Sequence, residues 1–208
     1  MPLHDQTITQ FLDSLADRTP APGGGATAAL HVAQGAALVA MVARYSDGPR
    51  YDAHRERITH GVTAADALRQ RSLALAADDE AAFSAVAAAY ALPRATPEEQ
   101  QARRAAIGAA LAGAAEPPIA VVGAARDVVE LAADLVPVAN RNLVADLAAA
   151  AEAARAGATT ARVNIEVNLG GIDDAAARER CLAAVAEVDL VGAAAERVTA
   201  EVRAGLAR

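Results

Sequence analysis

The sequence predicts an all-α fold, a multihelical bundle of long helices formed by one domain that spans residues 1–208. About 60 of the 208 residues are alanine, which has the highest helix propensity of all residues. Aromatic residues, which favour strands, make up only 2% of the chain. Apolar residues recur at helical spacing over most of the length, and 208 residues are enough to enclose a hydrophobic core.

The pattern predicts two helices near the start of the chain. Residues 7–17 form an amphipathic stretch, and residues 19–25, with two prolines and three glycines, predict a loop. A second helix is predicted over residues 26–46. The uncharged run over residues 23–43 is long enough to cross a bilayer, but it consists mostly of alanine and glycine. We therefore predict that this helix is buried inside the bundle.

Two long helices are expected in the middle of the chain. The break at residues 47–49 leads into a helical pattern over residues 50–91. Thr96 is a typical N-cap for a helix that begins at Pro97 with acidic residues in its first turn. The two prolines at 117 and 118 predict a break or kink, after which the helix resumes through residue 135.

The last third of the chain is predicted to hold two helices and one extended segment. A helix that begins at residue 137 is expected to end at Gly157, because glycine is a frequent helix C-cap. Residues 162–168 alternate aliphatic and polar side chains, which predicts a short extended segment that buries three aliphatic residues. The final helix is predicted to begin at Asp173.

The composition excludes several kinds of chemistry. All 19 basic residues are arginine, so no lysine can form a Schiff base or complete a phosphate-binding loop. The single Cys181 excludes an intrachain disulfide and a cysteine-cluster zinc site. A net charge of -7 with few aromatic residues disfavours a nucleic-acid partner. We expect no metal, no bound cofactor, no nucleic-acid or membrane partner, and a cytoplasmic location.

Two carboxylates stand on otherwise apolar helical stripes. Asp79 lies four residues from both Leu75 and Phe83, and Asp146 lies among leucines at 143 and 147. A carboxylate on a buried stripe is costly unless it is paired, hydrogen-bonded or functional. We therefore take both as catalytic candidates that could meet in one pocket, with Asp79 preferred. The alternative for each is a structural role, as the partner of an arginine or of a loop.

Glycines and asparagines supply the candidates for binding. Gly23, Gly24 and Gly25 open the second helix, where backbone N–H groups can approach an anion or a ring carbonyl. The amides of Asn140 and Asn164 can read a heteroaromatic edge, since each offers a donor and an acceptor. A tight helix-entry turn for the glycines, and caps or turns for the asparagines, are the alternatives.

Several short motifs follow one another along the chain in a definite order. They are residues 11–16, 19–30, 50–51, 79–83, 90–93 and 96–99, Pro118, Asn140 with Asp146, and Val163, Asn164 and Ile165 with Asn168. In this order and spacing they resemble the cyclodeaminase/cyclohydrolase family. That family includes the C-terminal domain of formiminotransferase-cyclodeaminase and stand-alone methenyltetrahydrofolate cyclohydrolases. The resemblance covers nearly the whole chain.

The resemblance implies a multihelical, usually homodimeric enzyme that acts on folate one-carbon units. One family reaction hydrolyses 5,10-methenyltetrahydrofolate to 10-formyltetrahydrofolate, and the other expels ammonia from 5-formiminotetrahydrofolate and closes the methenyl ring. Both pass through a tetrahedral carbon between two nitrogens, and both need a carboxylate and a group that moves a proton. We expect the cyclohydrolase reaction. The cyclodeaminase reaction, and non-catalytic binding of folate or of a partner helix, are the alternatives.

The resemblance also implies a role for each candidate residue. Asp79 and Asp146 are expected to be catalytic, Arg50 to hold the folate carboxylate tail, and Tyr51 to contact the ligand. The residues expected to bind substrate are Gly23, Gly24, Gly25, Arg50, Tyr51, Asn140 and Asn164.

One position departs from the family pattern. Many relatives carry lysine just before the tyrosine, where this chain has Arg50. Arginine keeps the positive charge but does not release a proton near neutral pH. If the family lysine binds a carboxylate, Arg50 can take over that function. If the lysine donates a proton, the reaction would be slower with arginine at this position.

Overall fold

The computed structural model describes residues 5–206. In chain order the helices are α1 (Ile8–Ala16), α2 (Gly24–Arg44), α3 (Arg55–Tyr90), α4 (Pro97–Leu135), α5 (Val144–Leu169) and α6 (Ala175–Leu206), with a 3₁₀ turn at Pro49–His54 before α3. No strand occurs within the described range. The predicted all-α bundle of long helices is confirmed.

Local sequence signals set several of the helix boundaries. Thr7 begins α1 with a capping box completed by Gln10, and Thr96 does the same for α4 with Glu99. Pro97 lies at the start of α4, where its missing N–H costs nothing. Gly48, before the 3₁₀ turn, has a φ of 88°, a left-handed conformation that favours glycine.

The helix at the centre of the bundle is α2, which packs against α3, α4 and α5. Its buried residues are glycine, alanine and valine, so neighbouring backbones come close. A Cβ added to Gly157 of α5 would lie 2.6 Å from Val32 Cγ2 and 2.8 Å from the Ala28 carbonyl oxygen. Helices α2 and α4 are long and apolar enough to cross a membrane, but the apolar window of α2 is 61% buried inside the bundle. The prediction of a buried helix is confirmed for α2.

Helices α3 and α5 run antiparallel to α2. Gly25 at the start of α2 lies against Asp79 of α3, whereas Arg44 at its end pairs with Asp66. We call the region of residues 20–25, with the adjoining late parts of α3 and α5, the glycine end. The region of residues 45–51, with residues 138–146, is the tyrosine end. The 21 residues of α2 separate the two ends by about 30 Å.

The predicted extended segment at residues 162–168 is wrong, because these residues belong to α5. Ile165 is fully buried, but Val163 and Val167 are 57% and 76% exposed. Residues two apart point to nearly opposite sides of a helix, so the three aliphatic residues cannot share one buried face there. The buried face of α5 instead continues through Ala158, Ala161 and Ile165 at helical spacing.

Three other predicted helix boundaries are also wrong. Gly157 lies inside α5 and does not end it; its lack of a side chain serves close packing against α2. Pro117 and Pro118 lie inside α4, which runs without a break from Pro97 to Leu135, so a break there is wrong, whereas a kink within the helix stays a prediction. The chain after α4 forms turns, and α5 begins at Val144 rather than at Pro137.

Candidate functional site

A cavity of about 600 Å³ opens at the glycine end of the bundle. It lies between the loop before α2 and the helices α3, α4 and α5, and its volume is typical of a small-molecule site. Its polar lining comes from Gly23, Gly24, Gly25, Asp79, Asn164 and Asn168, and its larger apolar lining from Phe83, Val86, Tyr90, Leu111 and Val167. Of the sequence-predicted candidates, the structure therefore brings together five: the three glycines, Asp79 and Asn164.

The carboxylate of Asp79 is held against the first turn of α2. A Cβ added to Gly25 would overlap the Asp79 carboxyl group, so this approach requires glycine. The backbone N–H of Ala26 donates a hydrogen bond to the carboxylate. The positive end of the α2 dipole also stabilises a negative charge there. The glycines thus serve to bring an ionisable side chain to a helix N-terminus.

The electrostatics of Asp79 make it a stronger base than an ordinary aspartate. Burial of the carboxyl group raises its pKa, and the negative charge of Glu80 raises it further, while the Ala26 hydrogen bond acts in the opposite direction. The net effect is a pKa above the usual value. A half-buried carboxylate with a raised pKa, facing a cavity, is a typical candidate for general acid–base catalysis.

The asparagines of α5 form the polar wall opposite Asp79. Asn164 and Asn168 are four residues apart, so they share one face of the helix. The Asn164 amide lies 3.7 Å from where a Gly24 Cβ would be, and its Nδ2 donates to the Thr160 carbonyl at 3.3 Å. The Asn164 Oδ1 and one N–H remain for a ligand.

Asn168 also compensates for a proline in α4. Pro118 has no N–H to donate to the carbonyl of Ala114, four residues earlier. The Asn168 Nδ2 donates to that carbonyl instead, at 3.4 Å. This contact joins α4 to α5 beside the cavity. Sequence reasoning left Asn168 out of the site, although residues four apart share a face in an extended segment as well as in a helix.

An aromatic wall extends along α3 from Asp79. Phe83, Val86 and Tyr90 follow at helical spacing and line the cavity with it. Phe83 is 48% exposed and Tyr90 is 53% exposed, so both rings are open to a ligand. Flat rings of this kind pack well against a heteroaromatic ligand. The sequence analysis placed Phe83 on the stripe of Asp79 but assigned none of these three residues to the site.

Three of the other predicted site residues lie at the tyrosine end. The backbone N–H of Asn140 donates to Ser46 Oγ at 2.9 Å, and its Nδ2 donates to the Tyr45 carbonyl at 3.2 Å. The Arg50 guanidinium lies over the Tyr51 ring at 4.6 Å, and Tyr51 is buried. None of these three lines the cavity.

The two candidate carboxylates do not meet within one chain. Asp146 lies in the first turn of α5, and Asn164, which lines the cavity, follows 18 residues later. That separation corresponds to about 27 Å along the helix. Asp79 and Asp146 therefore do not share a pocket within a single chain. An acidic residue in a first helical turn has a simpler use, since it interacts favourably with the helix dipole.

Within residues 5–206, no group of three or more histidine, cysteine, aspartate or glutamate residues is placed to hold a metal ion. The chemistry that the cavity offers is that of one basic carboxylate, amides, backbone N–H groups and aromatic faces.

Comparison with known proteins gives concordant results. A family model described as formiminotransferase-cyclodeaminase matches residues 7–187. The chain is 39% identical over 179 residues to a methenyltetrahydrofolate cyclohydrolase of Methylorubrum extorquens, covering 86% of each protein. It is 31% identical to the formimidoyltransferase-cyclodeaminase of Rattus norvegicus, over 86% of this chain and 33% of that protein. The crystal structure of formiminotetrahydrofolate cyclodeaminase from Thermotoga maritima matches with a TM-score of 0.86 and 27% identity, covering 98% of both chains.

Proposed function

The chain belongs to the formiminotransferase-cyclodeaminase family, and we propose that it hydrolyses 5,10-methenyltetrahydrofolate to 10-formyltetrahydrofolate. The relative at 39% identity carries the name of that activity and is matched over 86% of both lengths. The observation that carries the proposal is the Asp79 carboxylate, which faces a cavity with an aromatic wall and has a raised pKa.

The chemistry of the substrate suits this arrangement. The methenyl carbon of the substrate joins N5 and N10 and shares their positive charge. A carboxylate beside it stabilises that cation electrostatically. As a water oxygen bonds to the methenyl carbon, the Asp79 carboxylate accepts one proton from the water.

The second half of the reaction returns that proton. The carbon–N5 bond of the tetrahedral intermediate breaks, N5 takes the proton from Asp79, and the hydroxyl group loses its own proton as the formyl C=O forms. The cationic substrate and one water thus give neutral product and one proton. The raised pKa of Asp79 fits a group that must both accept and donate within one cycle.

The remaining lining groups can position the substrate. The open rings of Phe83 and Tyr90 can pack against the flat parts of the folate. Asn164 and the N–H groups at the start of α2 can bind the amide edge of the pterin. Holding the reacting carbon close to Asp79 contributes to the rate by orientation.

A second activity in the same site is supported by other relatives. Proteins named formimidoyltransferase-cyclodeaminase and formiminotetrahydrofolate cyclodeaminase match this chain in sequence and in structure. In that reaction N10 attacks the formimino carbon, and a protonated Asp79 would donate to the leaving ammonia. Ammonia release from 5-formiminotetrahydrofolate by the purified protein would favour this activity.

The hydrolysis is tested by following the near-ultraviolet absorbance of methenyltetrahydrofolate in a buffer where spontaneous hydrolysis is slow. The expected result is acceleration by the wild type and none by Asp79→Asn. No acceleration, together with no folate binding by calorimetry, would refute the proposal. Binding without turnover would favour a non-catalytic member of the family.

We further propose that the protein is a cytoplasmic homodimer. Helix α1 has no buried residue within the single chain, and its Ile8 and Leu12 are 80% and 53% exposed. A second copy that covered this apolar face would add to a core built mostly from small side chains. Sedimentation of a monomer at micromolar concentration would contradict the dimer.

A further inference from the structure

A guanidinium group lies close to Tyr90, the cavity-lining residue farthest along α3 from Asp79. Arg103, in the second turn of α4, donates from Nη2 and Nε to the Tyr90 carbonyl oxygen at 3.0 and 3.3 Å. Its Cζ lies 5.6 Å from the centre of the Tyr90 ring. Arg103 does not itself line the cavity, but it contacts Tyr90, which does.

This guanidinium keeps most of its binding capacity. Arginine has five N–H donors, and the Tyr90 carbonyl takes two of them. Arg103 forms no ion pair with any residue in the described range 5–206, whereas Arg180 is paired with Glu116 at 2.6 Å and Arg126 with Glu187 at 2.8 Å. An arginine fixed by its own backbone contact, with three donors left, is suited to a carboxylate ligand.

The order of groups along the cavity matches the order of groups in a folate. Asp79, Phe83, Val86 and Tyr90 follow one another along α3, and Tyr90, eleven positions after Asp79, lies about 16 Å farther along the helix. In a folate, an aminobenzoyl ring separates the reacting one-carbon group from the glutamate tail. With the one-carbon group at Asp79, that ring lies along Phe83 and Val86, and the tail reaches Tyr90.

On the basis of the proposed function, we infer that Arg103 binds the glutamate carboxylates of the folate substrate. Sequence reasoning gave this role to Arg50, which precedes α3, whereas Arg103 contacts Tyr90 at the other end of that helix, and its 36 residues span about 50 Å. The chain carries a net charge of -7, so an anionic tail needs a local cation. Arg103 supplies one at the correct end of the aromatic wall.

The test compares two ligands that differ only in the tail. Calorimetry measures the Kd of N5-formyltetrahydrofolate and of the carboxamide of N5-formyltetrahydropteroate, in which a neutral amide group replaces the glutamate and no carboxylate remains, for wild type and Arg103→Gln. We expect the substitution to weaken binding of the first ligand about tenfold and to leave the second unchanged. In turnover, KM should rise with kcat unchanged.

Two further variants separate binding from structure. Arg104→Gln removes the same charge from the next position of α4, which points about 100° away around the helix, and should leave both Kd values unchanged. Arg103→Lys keeps the charge but loses the fork of donors, so it should weaken only the glutamate ligand and by less than glutamine does.

The outcomes separate a binding role of Arg103 from a structural one. Equal weakening of both ligands by Arg103→Gln, or by Arg103→Lys if the glutamine variant does not fold, would show that Arg103 only supports the α3–α4 turn. Binding by the wild type with no dependence on Arg103 would overturn the inference and leave the folate proposal standing. Failure of the wild type to bind either ligand would overturn both. Binding without turnover would refute the hydrolysis alone.

Discussion

Residues of the motifs that resemble the family lie at both ends of α2, but their polar groups have different hydrogen-bond partners at the two ends. At the tyrosine end, Ser46 Oγ donates to the Val42 carbonyl at 2.8 Å and accepts the N–H of Asn140, whose Oδ1 accepts the N–H of Asn142 at 3.1 Å. At the glycine end, Asp79 and Asn164 keep polar atoms that face an open cavity. Motif residues whose polar atoms bond to other protein atoms stabilise the fold. Motif residues whose polar atoms face a cavity are available to bind a ligand.

The two ends should differ most in the loss of kcat when the carboxylate at each end is removed. Asp79→Asn keeps the size of the side chain but cannot accept a proton from water, so we expect kcat to fall by roughly 10²–10⁴-fold. Asp146→Asn, at the far end of α5, should have near wild-type kcat. Steady-state kinetics on both variants measures this. Equal losses would mean that Asp146 reaches the site, for example from a second copy of the chain.

A glycine pair tests whether the position of Asp79 matters as well as its charge. Gly25→Ala places a Cβ where the Asp79 carboxylate lies, so the carboxylate must move and kcat should fall by about 10²-fold. Gly123→Ala, in α4 and outside the cavity lining, is the control, because its Cβ would meet nothing within 4 Å. Kinetics with circular dichroism on both variants measures the effect. A Gly25→Ala enzyme with full activity would show that the observed carboxylate position is not required.

At the tyrosine end the expected effect is on stability. Ser46 is 1% exposed, and Ser46→Ala leaves the Asn140 N–H and the Val42 carbonyl without a partner, at a cost of about 1–3 kcal/mol in the free energy of unfolding. Ser84→Ala, whose exposed hydroxyl donates to the Glu80 carbonyl at 2.9 Å, is the matched control and should change little. Denaturant unfolding measures both. A change in KM for folate in Ser46→Ala would mean that this end takes part in binding.

The smallest effect concerns the pH dependence of stability. The pKa of Asp79 is raised in the folded chain, so folding favours its protonated form; the associated stability is present at acidic pH and is lost as the pH rises through the raised pKa. Asp79→Asn removes that loss, so its Tm should exceed that of the wild type at neutral pH by no more than about 2–4 °C, because solvent screens the half-exposed group.

Calorimetric scans across a pH series check this expectation. The difference in Tm between Asp79→Asn and the wild type should shrink as the pH falls through the raised pKa of Asp79, and it should change no further below the ordinary pKa of aspartate. A difference that stays constant with pH would show that the substitution acts through packing and not through the ionisation of Asp79.

Much of the fold could be predicted because its signals are local. The capping residue Thr96, the proline that follows it and the run of small residues in α2 each fix a feature through contacts with near neighbours. The alternation at residues 162–168 suggested a strand because the buried face of α5 from Ala154 to Ile165 consists of alanines, one glycine and one isoleucine, which give a weak periodic signal beside two exposed valines.

The site could be predicted only in part, because its residues come together through tertiary packing. Asp79 and Gly25 each stood out from the sequence, but their contact depends on the antiparallel pairing of α2 and α3. Arg50 and Asp146 looked equivalent to them in the linear order of motifs. Helix length decides otherwise, since a helix of 21 residues separates its two ends by about 30 Å.

The contact between Gly25 and Asp79 also bears on how such a chain can change by descent. While position 79 carries a carboxylate that approaches α2, position 25 has no room for a side chain. A lineage that loses the carboxylate, for instance by exchanging it for alanine, is released from this restriction, and alanine at position 25 then favours the helix. The residues at positions 25 and 79 together therefore distinguish active from inactive descendants of this chain.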